Sequence, residues 1–352
     1  MDEINRTKLA PLLEAVDIAK LTPAELERLF YEETDLARTL PDGLCQTDPR
    51  NGDRILYVSQ RSGRPHDNIP VDTGEPPTEG ICPICQGKTT GVVDVAELSE
   101  GFTFINKNLF PVVYPFDGER AERGETCAAN GMHFLQWTSS LHDKDWHNMP
   151  PSDGAVVMGR LAALEKKLVG KGKQVLITKN YGRLVGGSLA HGHQQIIFTS
   201  LLPNRFLDNQ RFWREKGEQF SSYLLRENPA ELLVRDYGPA VLLVPYFIRR
   251  PLEMMLILKD SSRQFLHELS EKELLAVAQG WRDAILAMRK AMPAMGRETA
   301  YNITCHNGTG AGLYFEFLPY TQENGGLEHL GLYACQATPL QAAEEIGKTI
   351  NR

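Results

Sequence analysis

The run His191-Gly192-His193-Gln194-Gln195 gathers reactive and hydrogen-bonding side chains within five residues. It continues as Ile196-Ile197-Phe198-Thr199, a β-branched and aromatic stretch that predicts a strand beginning near His191. Side chains alternate along a strand, so His191, His193 and Gln195 are expected on one face. Val185-Gly186-Gly187-Ser188 stands just before them and predicts a turn. Lone histidines are usually core or surface residues; two of them at i and i+2, with a glutamine at i+4 beside a glycine turn, favour a site. A neutral imidazole nitrogen can attack phosphorus and form a phosphoramidate, provided the other ring nitrogen is held by a hydrogen bond. Gln195 can donate an amide N–H to a phosphate oxygen. It cannot act as a general acid, so the run suits a phosphate leaving group, which needs little protonation. His193 is the expected nucleophile.

A second constellation is Cys82-Pro83-Ile84-Cys85, followed by Gly87. A Cys-x-x-Cys pair commonly supplies half of a structural zinc site, and two more ligands are then needed. The chain has six cysteines and no second such pair, so the missing ligands are expected to be histidines. His133, His142, His147 and His191 are the candidates. A thioredoxin-like redox pair is the weaker reading, because no strand-then-helix pattern surrounds it.

These groups need a scaffold. The chain has 352 residues, 42% hydrophobic and 24% charged, with a net charge of −7. That is the balance of an ordinary globular protein and disfavours a nucleic-acid binder built on a broad basic face. No apolar run approaches membrane-spanning length, and Met1–Ala10 is mixed and charged, so neither a membrane partner nor a signal peptide is expected. A cytoplasmic location is the matching expectation. Thr22-Pro23-Ala24-Glu25 is a capping box opening a helix, and the Gly-, Pro- and Asp-rich residues 60–80 predict loop. Strands are expected near Phe102–Asn106, His133–Trp137 and Gln174–Thr178, with a helix over Ser152–Val169. A second round places strands near Val241–Pro245, Met254–Leu258, Tyr301–Thr304 and Tyr314–Leu318. Its helices start after Ser270 and at Pro339. Lys179-Asn180-Tyr181-Gly182 and His306-Asn307-Gly308-Thr309 stand at equivalent points, which suggests an internal duplication.

Together these pieces resemble the galactose-1-phosphate uridylyltransferase family, the transferase branch of the histidine-triad superfamily. The order Cys82/Cys85, His142, Asn180, Ser188, His191, His193, Gln195 follows the family pattern, and the resemblance runs from about Arg54 to the C-terminus. It implies an α+β fold of two repeated histidine-triad-like units with mostly antiparallel sheets and flanking helices. The expected domains are a helical extension over 1–45, a catalytic unit over 46–203 and a second unit over 204–352. His193 would carry the nucleotide, with Gln195 and Ser188 on phosphate oxygens. Arg61, Arg64, Asn108 and Asn180 would line the nucleotide pocket. Cys82, Cys85, His142 and His191 would bind one structural zinc per chain, His142 being preferred to His147 for its distance from the following helix. Gly192 departs from the proline common between the two histidines. Some bacterial members bind a further metal in the second half. The matching positions here are Arg205, His306, Tyr314 and Glu316, so that metal is expected to be absent. The implied activity is transfer of UMP from UDP-glucose to a hexose 1-phosphate in galactose metabolism, by a homodimer that binds nucleotide sugar and sugar 1-phosphate. A phosphorylase acting on ADP-glucose or a dinucleoside polyphosphate, with inorganic phosphate as acceptor, is the alternative. A non-catalytic zinc-binding relative is a third.

Overall fold

The structure is a computed structural model. It describes residues 17–31, 40–63, 82–89, 91–115, 127–170 and 173–350. Arg64, and most of the expected loop 60–80, lie outside the described residues. The chain forms two compact units. The first comprises 1–144, 160–177 and 191–208; the second comprises 145–159, 178–190 and 209–352.

In the first unit, β3 (Val92–Glu97), β4 (Phe102–Lys107), β6 (Gly131–Trp137) and β8 (His193–Thr199) pair antiparallel in that order. A small separate sheet joins β2 (Arg54–Tyr57), β1 (Leu44–Thr47) and β5 (Cys127–Ala128). The helix α1 (Pro23–Tyr31) opens with the expected box, Thr22 N–H donating to Glu25 and Glu25 N–H donating back to the Thr22 hydroxyl. It buries Phe30, whose ring meets Phe134 edge-on at 5.3 Å. Phe134 and Gln194 lie on one face of the sheet; Trp137, His193 and Gln195 lie on the other. Gly131 lets the strands close up, since a Cβ there would sit 2.0 Å from the Phe198 carbonyl oxygen. The buried Asp94 carboxylate takes two hydrogen bonds from Arg160 of α2 (Pro151–Leu168).

The second unit carries β12 (Tyr301–His306), β13 (Tyr314–Pro319), β11 (Met254–Leu258), β10 (Ala240–Leu243) and β9 (Leu233–Asp236), again antiparallel and paired in that order. One face packs on α5 (Glu271–Ala294), where Trp281 meets Phe315 and Phe317 at 5.6 and 5.9 Å. The other face buries Met255, Ile257 and Tyr314 against Leu224 of α4 (Phe220–Glu227). Ser270 and Glu273 form the capping box of α5, and Thr338 caps α6 (Pro339–Ile350). Asp145 and Lys179, at the end of β7 (Gln174–Tyr181), form a buried ion pair at 2.9 Å.

The expected strands and helices are present with boundaries shifted by a few residues. Several elements were not anticipated, β3, β5, β9 and a one-turn helix at Gly326–His329 among them. The strands β1 and β2 are only four residues each and half exposed, so their pattern is faint. α3 (Asn204–Lys216) buries only Asn209 and shows no apolar stripe, and α4 spans just eight residues.

Candidate functional site

The strand β8 begins at His193 and not at His191, which lies with Gly192 in a bend before it. Strand alternation therefore does not reach His191. The register pairs Trp137 with His193, Leu135 with Gln195 and His133 with Ile197, so these six share one face. His191 instead turns away, and the two histidines separate into two tasks.

His193 is buried, 7% exposed. Its Nδ1 lies 2.8 Å from the His191 carbonyl oxygen, an acceptor only, so Nδ1 carries a proton and the lone pair of the neutral ring falls on Nε2. The Trp137 ring lies against it at 4.9 Å. The bend is tied to β6 by Thr138 N–H, which donates to the Gly192 carbonyl. The carbonyl thus fixes which ring nitrogen carries the proton when the ring is neutral.

His191 faces Cys82, Cys85 and His142. The four ligand atoms lie within 4.8 Å of one another. His191 Nδ1 is 3.7 Å from Cys82 Sγ and 3.6 Å from Cys85 Sγ; His142 Nδ1 is 3.4 Å from Cys85 Sγ. A tetrahedral zinc ion, with bonds of about 2.3 Å to sulfur and about 2.0–2.1 Å to nitrogen, sets such edges at about 3.6 Å. His191 Nε2 donates to the Ser139 carbonyl at 2.7 Å, which turns the Nδ1 lone pair toward the cysteines. Burial and the neighbouring Cys85 push the Cys82 thiol up to about 12, and a bound cation reverses that preference. The cluster could therefore hold a metal such as zinc. His147 lies in the second unit and His133 lies elsewhere on the sheet, so neither belongs to the cluster.

Asn108 and Arg61 approach the same part of the first unit as His133. Asn108 Oδ1 accepts from Phe110 N–H at 2.9 Å, its Nδ2 contacts the His133 ring, and Arg61 donates to the Phe110 carbonyl at 3.2 Å. Asn180, the penultimate residue of β7, lies in the second unit and accepts from Asn302 at 2.8 Å. Ser188 is half-buried in the loop of that unit, three residues before His191 in the chain. Of the four second-metal positions, Arg205 falls in the first unit and the other three in the second. There His306 Nδ1 meets Asn209 at 3.2 Å, its Nε2 meets Glu316 at 2.7 Å, and the Tyr314 ring stacks on it at 4.5 Å. Sequence reading named His133 only as a possible metal ligand. Its place two and four residues before Leu135 and Trp137 on one strand was the available signal for its position on the His193 face.

No protein-family model matches the chain, and no curated protein does. Solved structures do. A uridylyltransferase is 21% identical over 88% of this chain and 98% of its own, with a TM-score of 0.69. A mutant uridylyltransferase is 20% identical over the same shares, with a TM-score of 0.71. An ADP-glucose phosphorylase from Arabidopsis thaliana, solved with bound ADP-glucose, is 15% identical over 86% of this chain and 98% of its own, at 0.65. The chain has the α+β fold of these proteins, with antiparallel sheets and flanking helices.

Proposed function

We propose that the protein is a nucleotidyltransferase working through a covalent nucleotidyl-His193 intermediate, and that its donor is UDP-glucose and its acceptor a hexose 1-phosphate. The observation that carries this reading is the His193 ring, held by its Nδ1–H on the His191 carbonyl on the strand face it shares with Gln195. Nε2 attacks the α-phosphorus of the nucleotide sugar. The bond from that phosphorus to the bridging oxygen breaks, and its electron pair leaves with the sugar 1-phosphate. The ring gains positive charge as the bond forms, and the His191 carbonyl stabilises the Nδ1–H that shares it. The incoming sugar 1-phosphate oxygen then takes the nucleotidyl group and restores neutral His193. Gln195 and Ser188 bind phosphate oxygens, while Arg61, Arg64, Asn108 and Asn180 hold the nucleotide. Zinc bound by Cys82, Cys85, His142 and His191 would fix the bend that carries the accepting carbonyl. A homodimer is the expected assembly.

The test is trapping. UDP-glucose labelled at the phosphorus next to uridine, offered without acceptor, should leave an acid-labile, base-stable label on wild type and none on a folded His193→Asn variant. Equal labelling of the variant would sink the assignment. The second reading is a phosphorylase, favoured by the likeness to the ADP-glucose enzyme. Labelling by ADP-glucose alone, discharged by inorganic phosphate, would replace the first reading with it.

A further inference from the structure

Three directly paired residues form a ladder across the sheet of the first unit: Phe104 on β4, Trp137 on β6 and His193 on β8. Phe104 and Trp137 are both buried. Cross-strand partners on one face stand side by side, so the indole has Phe104 on one side and His193 on the other. The Phe104 ring stacks on it at 6.1 Å and 25°, and the His193 ring lies at 4.9 Å, tilted by 40°. The indole plane is held by its own N–H, which donates to Asn106 Oδ1 at 2.8 Å. Asn106 is oriented in turn, since its Nδ2 donates to the Lys107 carbonyl at 3.0 Å. The His191 ring meets the same indole edge-on at 5.4 Å. A π-face, and not the N–H edge, is therefore turned toward the nucleophile.

Indole has the most favourable face of the aromatic side chains for a cation, which is attracted within about 6 Å of the ring and more strongly when desolvated. A neutral His193 ring gains little from that face. Bonding Nε2 to phosphorus while Nδ1 keeps its proton leaves one positive charge on a ring that is buried. We infer that Trp137 is a positioning residue acting through His193: its indole face holds the ring and stabilises the cationic nucleotidyl-imidazolium more than the neutral imidazole. An interaction stronger in the charged state than in the resting one lowers the barrier to reaching it. The His191 carbonyl acts in the ring plane, and the indole acts on the ring face. The inference rests on the covalent chemistry proposed for His193 and adds no reactant to it. Nε2 supplies the electron pair of the new N–P bond, and the sugar 1-phosphate leaves with the pair of the broken P–O bond.

Fluorination tests this without emptying the site, because fluorine withdraws electron density from the indole face and changes its size little. Trp137 is replaced site-specifically, in the full-length protein, by mono-, di-, tri- and tetrafluorotryptophan. The rate of nucleotidyl-His193 formation from UDP-glucose should fall stepwise with fluorine number, by about three- to thirtyfold in all and chiefly in kcat. Metal content and thermal midpoint should stay at wild-type values. Trp137→Tyr should fall between wild type and Trp137→Leu. A second arm needs no nucleotide. Alkylation of His193 by iodoacetamide joins Nε2 to carbon, expels iodide and leaves the same charge on the ring, so its rate, followed by peptide mass mapping, should show the same order. Equal rates across the fluorinated series, in labelling or in alkylation, would overturn the inference, and a slow Trp137→Leu would then report lost packing alone. Fluorine-dependent alkylation in a protein that no nucleotide donor labels would keep the effect of the indole on His193 and count against the reaction instead.

Discussion

At the residue scale the decisive object is the ring tautomer. His193 and His133 each commit Nδ1 to the backbone, but with opposite polarity. The His191 carbonyl accepts from His193 Nδ1–H, whereas the Val112 amide donates to His133 Nδ1. His133 also gives a pH prediction. Burial holds its pKa well below 6.5 in the folded state. The unfolded chain therefore binds the extra proton first as pH falls. Stability from this group is complete above about 6.5 and declines below it, by up to about 1.4 kcal/mol per pH unit. Urea unfolding at a series of pH values should show that slope in wild type and lose it in His133→Gln; an unchanged slope would refute the assignment. A second residue-scale expectation separates two histidines that sequence order left close together. His142→Ala should lose bound metal in elemental analysis, whereas His147→Ala should keep it. That His193 and Gln195 share a face was legible in sequence, because strand alternation suffices to place them. The hydrogen bond at His133 was not, because it depends on which backbone amide meets its ring.

At the element scale, β8 shows how a strand boundary changes chemistry. Alternation from His191 would have put both histidines on the His193 face. The strand starts two residues later, and the bend at His191-Gly192 sends the first ring to the cysteines and the second to the sheet face. Family order anticipated that division; periodicity did not. The loop before α2 and the end of β7 supply another test. Lys179 and Asp145 are both buried, and Lys179 is the first cause that lowers the Asp145 pKa, against a larger opposing effect of burial. Lys179→Met leaves that carboxylate buried without its cation and should cost about 3–5 kcal/mol in denaturant unfolding. Lys179→Met with Asp145→Leu should recover most of it. Long elements with clear caps or apolar runs, such as α5 and β11, were legible. The four-residue β1 and β2 and the polar α3 were not, because they bury too little for their pattern to stand out.

At the scale of the whole molecule, the proposed metal links a loop at Cys82–Cys85, the segment after β6 and the bend before β8. Such a cross-link stabilises the first unit as well as the site. Purified protein should carry about one zinc per chain by elemental analysis, and chelation or Cys82→Ser should lower the thermal midpoint. An unshifted midpoint after complete metal loss would remove the structural role. No helix among the described residues is long and apolar enough to cross a membrane. The sequence by itself determined the residue types, the order of reactive groups and most of the long elements, because those follow from local periodicity and from chemistry that few side chains can perform. Only the tertiary structure decided that Cys82, Cys85, His142 and His191 converge and that His133 shares a sheet face with Gln195. It also assigned 145–159 and 178–190 to the second unit. Those facts depend on contacts between residues far apart in the chain, and strand register and packing fix such contacts where composition and spacing do not.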